Sequence, residues 1–112
     1  MEVIAIARDT GISARKIRLI VDMVRGKRVD EALSLLKFTH HPSANVVAKV
    51  VKSAAANAEN NFQMAPANLK IVKISADAAR MMKRHRARSR GQASPILKRS
   101  SHVTVVVAEQ EE

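Results

Sequence analysis

Arg80, Lys83, Arg84, Arg86, Arg88, Arg90, Lys98 and Arg99 fall within a stretch, Ala78 to Ala108, that contains no aspartate or glutamate. Eight of the chain's twenty Lys and Arg lie there and none of its ten acidic residues, so the stretch holds +8 of a net +10. Charge concentrated in this way attracts polyanions. Between Lys83 and Gly91, Arg84, Arg86, Arg88 and Arg90 stand against the single Lys83. A planar guanidinium meets two phosphate oxygens at once where an ammonium offers a point charge, so the chemistry on offer is phosphate recognition. A second basic group, Arg15, Lys16, Arg18, Arg25, Lys27 and Arg28, lies nearer the start of the chain. Asn57, Asn60 and Asn61 add side chains able to hydrogen-bond phosphate or 2′-hydroxyl groups.

Other chemistries lack their residues. There is no Cys, hence no disulfide, thiolate metal site or cysteine nucleophile, which suits a reducing cytoplasm. His40, His41, His85 and His102 have no Asp, Glu or Cys at metal-ligand spacing, so no metal and no other cofactor is expected. Gly11, Gly26 and Gly91 are too scattered for a Walker, dinucleotide or nucleophile-elbow motif. Asp22, Asp30, Glu31, Glu59 and Asp77 form no paired general acid and base. No enzyme and no small-molecule substrate is therefore expected. Met81 and Met82 read as packing residues. The only aromatics are Phe38 and Phe62, which argues against modules that stack bases on aromatic platforms.

The elements that must position these residues can be read from apolar spacing. At 112 residues with 46% hydrophobic residues, one domain with one core is expected. The N-terminal residues from Glu2 to Ile12 alternate, Val3, Ala5 and Ala7 against Ile4 and Ile6, as an edge strand does. Ser13 suits an N-cap; behind it Ile17, Ile20, Val21 and Val24 recur at helical spacing, and Gly26 ends the helix. Asp30 and Glu31 open a second helix that ends near Phe38. Pro42 or Ser43 starts a third and longest helix, with a stripe of Val46, Val47, Val50, Val51, Ala54, Ala55 and Ala58. Leu69 to Ile74 and His102 to Val107 read as strands, and Glu109 to Glu112 as an acidic tail. Met1 to Ile6 does not read as a signal peptide, and apolar runs such as Val103 to Ala108 are too short to span a bilayer, so a cytoplasmic location without a membrane partner is expected.

The last two strands set an antiparallel register. A turn between Ser89 and Arg90 opposes Val72 to Val107, Ile74 to Val105 and Ala76 to Val103, all on one face. Further out, Arg80 falls opposite Arg99 and Arg84 near Pro95, with no comparable apolar face. The base of this hairpin is core and residues 78–100 are an arm, which would project about 40 Å at roughly 3.3 Å per residue. A two-stranded arm of like charges is marginal in water, so an anionic partner should hold it. Gly91 suits a left-handed position near the tip, and Pro95 an edge strand.

Lys83-Arg84-His85-Arg86-Ala87-Arg88-Ser89-Arg90-Gly91-Gln92, followed by Lys98-Arg99-Ser100-Ser101-His102-Val103-Thr104-Val105, closely resembles the C-terminal signature of the bacterial large-ribosomal-subunit protein twenty-two family. Ser13 to Leu19 with Arg25-Gly26-Lys27, and Ser53 to Asn61, are similar to it as well, so nearly the whole chain is covered. Ala87 stands where members commonly carry Pro, and Gln92 where a basic residue is frequent. The resemblance implies an α+β fold, three helices packed on a small three-stranded antiparallel sheet, with a long basic β-hairpin extension. Residues 1–77 and 101–108 would form the globular part of a single domain. It also implies large-subunit rRNA, neighbouring large-subunit proteins and the nascent polypeptide as partners. The domain would sit near the polypeptide exit, with Arg88, Ser89, Arg90 and Gly91 at a tip lining the tunnel. Ser101 and His102, at the foot of the arm, join the candidate RNA contacts.

The rival from composition is a DNA-bending nucleoid protein with a basic β-arm. Those insert an apolar wedge between base steps, and Arg88 to Gly91 contains none. A cationic membrane-surface peptide needs an apolar face opposite its charges, which the arm lacks.

Overall fold

The structure, a computed structural model, describes residues 2–79, 81–87, 91 and 93–109, with 82–87 and 93–97 described as backbone and pairing. The order is β1 (Glu2–Ala7), α1 (Ala14–Val24), α2 (Val29–Lys37), α3 (Pro42–Phe62), a 3-10 turn (Pro66–Asn68), β2 (Leu69–Ala78), β3 (Met82–Ala87), β4 (Ala93–Lys98) and β5 (Ser101–Glu109). The three helices pack on a three-stranded antiparallel sheet of order β1-β5-β2, the α+β class expected, and β3 pairs with β4 separately.

Helix α1 forms because Ile17, Ile20, Val21 and Val24 put one apolar stripe against the core, where all four are buried. Ser13 takes the extended N-cap conformation, and its carbonyl accepts from the Lys16 and Ile17 N–H groups, but its side chain makes no capping bond. In α2, Asp30 and Glu31 occupy the first turn and Lys37 the last, each complementing the helix dipole. Helix α3 begins with Pro42 at its first turn, as expected; its cap is His41, whose Nδ1 accepts from Ser43 N–H at 3.1 Å. His41 is thus more than a loop residue. The stripe of Val47, Val50, Val51, Ala54 and Ala58 is buried, and α3 packs on β1, β5, α1 and α2, which makes it the centre of the core.

Strand β5 lies in the middle of the sheet, with Val103, Val105 and Val107 fully buried beneath the helices. Strand β1 is an edge strand, ending at Ala7 rather than near Ile12. Its smaller residues, Val3, Ala5 and Ala7, face the helices, while Ile4 and Ile6 are exposed on the open side. Glu109 is the last residue of β5, paired with Leu69, and the remaining acidic end lies outside the described residues.

One expected pair is corrected. Ile74 does oppose Val105 and Ala76 does oppose Val103, but Val107 pairs with Ile71, and the register shifts between Ile71 and Lys73. Val72 is the extra residue of a β-bulge and is 45% exposed. The reason is parity. A regular ladder would turn Val72 inward and Leu69 and Ile71 outward; the bulge instead buries Leu69 and Ile71 together with Ile74 and Ala76.

The arm's register also differs by one from the expectation. Arg84 pairs with Ile96 and His85 with Pro95, rather than Arg84 with Pro95. Three residues, 79–81, join β2 to β3 on one side, and two, 99 and 100, join β4 to β5 on the other, which puts the two ladders out of step. The Arg80–Arg99 pairing lies outside the described residues, as do the tip positions Arg88, Ser89, Arg90 and Gln92. Gly91 has φ +74, the left-handed conformation that glycine adopts without strain.

Candidate nucleic-acid interface

The basic residues of α1 and its exit turn are brought onto β2 by backbone contacts. Gly26, with φ +78, lets the chain reverse tightly after α1. The next residues dock on the outer edge of the sheet: Ile71 N–H donates to Lys27 O at 3.0 Å, and Arg28 forms an isolated antiparallel bridge with Lys70. Further along β2, Arg25 Nη2 donates to Ile74 O at 3.2 Å, while its Nη1 donates to Asp22 Oδ1 at 2.6 Å. Arg18 Nε donates to Ala76 O at 3.0 Å. Two residues later β2 ends at Ala78, where the arm begins.

These contacts make a track. Arg28, Lys27, Arg25 and Arg18 follow one another beside Lys70, Ile71, Ile74 and Ala76, a span of about 20 Å at roughly 3.3 Å per residue. Lys70 and the exposed Lys73 add charge to the same strand. The only carboxylate in an ion pair among the described residues is Asp22, with Arg25, and both partners are more than half exposed. A pair so exposed is weak and leaves the arginine's other N–H groups free for a further anion. Arg15 and Lys16 are exposed on α1, and Lys98 and Arg99 are exposed where the arm rejoins the body. In the arm Lys83, Arg84, His85 and Arg86 are consecutive residues of β3, paired with Leu97, Ile96, Pro95 and Ser94 of β4.

The asparagines lie near the end of α3, where Asn61 Nδ2 donates to Asn57 Oδ1 and Asn60 is exposed. Ser101 is fully buried, its hydroxyl donating to Ile12 O at 2.7 Å and lying 2.8 Å from Thr10 Oγ1. A side chain so enclosed cannot reach RNA, and Ser101 holds a structural bond in place of the expected RNA contact. Beside it the half-buried His102 accepts from Asp9 N–H at its Nδ1, at 3.1 Å. Sequence reasoning missed Lys70 and Lys73 because their spacing marked them only as strand residues; the signal available was their alternation with apolar neighbours.

Among the described residues no group of three or more His, Asp or Glu could hold a metal ion, and no helix is long and apolar enough to cross a membrane. The sequence matches the family described as ribosomal protein L22p/L17e over residues 5–108. The chain belongs to this family. It is a ribosomal protein and not an enzyme. The large ribosomal subunit protein uL22 of Dehalococcoides mccartyi strain 195 is 68% identical over 109 residues, covering 97% of this chain and all of that protein. The protein of the same name from Pediococcus pentosaceus is 53% identical over 108 residues, covering 96% of this chain and 92% of its own. The L22p/L17e match spans α1, the turn after it, the arm and β5, so track and arm both lie inside the family region.

Proposed function

We propose that this chain binds the rRNA of the large ribosomal subunit through the basic arm and the track beside β2, aids the assembly of that RNA, and lines the nascent-chain tunnel with its tip. As a ribosomal protein of this family it is a structural constituent of the large subunit, in the cytoplasm. The observation that carries the RNA reading is the continuity of charge: the track at Arg28, Lys27, Arg25 and Arg18 leads along β2 into an arm free of acidic residues. Such a surface contacts phosphate, fixing position more than sequence. The scarcity of aromatics fits RNA recognised by shape and backbone.

In this reading the chain is one ribosomal-protein domain, with residues 78–100 as its arm and neighbouring large-subunit proteins around its body. The tunnel assignment rests on family resemblance at Arg88, Ser89, Arg90 and Gly91, beside the nascent polypeptide. It is tested by ribosomes carrying either the full chain or one with His85 to Ser94 replaced by a short turn. Peptidyl transfer should be unchanged, while peptide-induced stalling and the response to tunnel-binding drugs should alter. If the shortened protein assembles and neither response changes, the tip does not line the tunnel. Co-sedimentation with large subunits that RNase abolishes and DNase does not would support RNA over DNA.

A further inference from the structure

Between β1 and α3, away from the track on β2, an open cleft of about 360 Å³ remains unaccounted for by the arm or the track. Its size lies at the lower end of small-ligand clefts, roughly 300–1,000 Å³. Ala7, Val46 and Val50, on the helix-facing side of β1 and on α3, line it with apolar surface. Arg8 and Lys49, both exposed, stand among its walls with the exposed Ser53, and no acidic residue lines it. Asp9, next in sequence to Arg8, is not among the lining residues. Neither Arg8 nor Lys49 has a carboxylate partner among the described residues, where the ion pair present is Arg25 with Asp22.

We propose that this cleft seats one unpaired nucleotide of the rRNA, its base against the apolar surface of Ala7, Val46 and Val50 and its phosphate on Arg8 and Lys49. The proposal rests on the reading of the chain as an rRNA-binding component. Two cations on an apolar floor fit an anion that carries a flat, weakly polar body, and an unpaired nucleotide has that composition. Unstacked bases are commonly held against apolar side chains, and phosphates by Arg and Lys. Because β1 is the outer strand of the sheet, alternate backbone N–H and C=O groups along it have no strand partner and can meet polar atoms of a base edge. Ser53 adds a hydroxyl donor and acceptor at the wall. An acidic segment of a neighbouring protein would satisfy the cations but leave a cleft of this shape without its flat occupant.

The test uses the full chain with large-subunit rRNA and in reconstituted subunits. The double variant Arg8→Gln, Lys49→Gln removes the charges at exposed positions, and Ser53→Met fills the cleft from an exposed helix position; thermal melts check that both remain folded. The double variant should lower the slope of log K against log salt by about 0.7, since the two cations share one phosphate of an unpaired nucleotide. Ser53→Met should restore reactivity to base-specific reagents at one unpaired base that the unmodified chain protects, leaving other protections in place. A photo-crosslinker on Ser53→Cys, the sole thiol in a chain without cysteine, should join the protein to rRNA. The inference is overturned if the double variant keeps the full slope, if Ser53→Met changes no protection, or if the crosslink goes to a neighbouring protein. If the unmodified chain itself binds with no salt dependence, the rRNA reading fails with it; if that chain binds steeply and only the cleft variants are silent, this inference fails alone.

Discussion

Ser101 shows how one side chain can look like a ligand contact in sequence and be a structural tie in the fold. It lies between basic residues and a histidine, yet its hydroxyl is buried and bonded to Ile12 O, joining the loop after β1 to the foot of the arm. Thr10 N–H also donates to Ser101 O at 3.0 Å, and Gly11 N–H to Ser100 Oγ at 3.0 Å. Ser101→Ala should therefore cost about 0.5–1.5 kcal/mol, the net worth of the lost hydrogen bond, since Thr10 Oγ1 also donates to the part-buried Ile12 carbonyl. Urea unfolding would measure it, and rRNA binding by the folded variant should keep the slope of the unmodified chain. Weaker binding at unchanged stability would restore Ser101 as a contact. Residue types and charge make the basic group legible in the sequence. What spacing cannot reveal is which polar groups the fold consumes: Arg18 and Arg25 each give part of a guanidinium to a β2 carbonyl, across 58 and 49 residues of chain.

At the scale of elements, most of the fold follows from periodicity. The α1 stripe, the α3 stripe, the acidic start of α2 and the two long strands all stand where apolar spacing puts them. The misplacements arise where a single residue changes the count. Val72 is one: apolar and in step with a regular ladder, it reads as core, and only the buried Leu69 and Ile71 behind it show that the strand must slip. The bulge gives a direct test. Deleting Val72 leaves a regular ladder in which Ile71 still opposes Val107 and Ile74 still opposes Val105, so the variant should fold. Deleting Ser75 forces Lys73 into the inward position of Ile74 and turns Ile74 outward. That change should cost at least as much as a large-to-small core substitution, about 2–5 kcal/mol. Thermal melts of the two deletions decide the matter; equal stability would mean that the bulge is misplaced. The arm's offset has the same origin, three linking residues against two, which no apolar face there could register.

The whole molecule is elongated, 67 by 26 by 17 Å, because a small body carries a separate two-stranded hairpin. Among the described residues, the buried core cluster lies in 3–76 and 103–107. Replacing His85 to Ser94 by a short turn should therefore leave the free energy of chemical unfolding within the small range seen for changes outside a core, about 0.5 kcal/mol. An unfolded product would show that the arm contributes to the core after all. Function divides the other way: the body supplies rigidity, and the arm and the track beside β2 supply charge. The measurement that tests this most directly is the salt dependence of binding to large-subunit rRNA by the full chain. Each phosphate contact contributes about 0.9 to the slope of log K against log salt in duplex, and about 0.7 in single strands. A steep slope is predicted, lowered by about 1 in each of Arg84→Ala, Lys98→Ala and Arg28→Ala. A slope near zero in the unmodified chain would contradict the account.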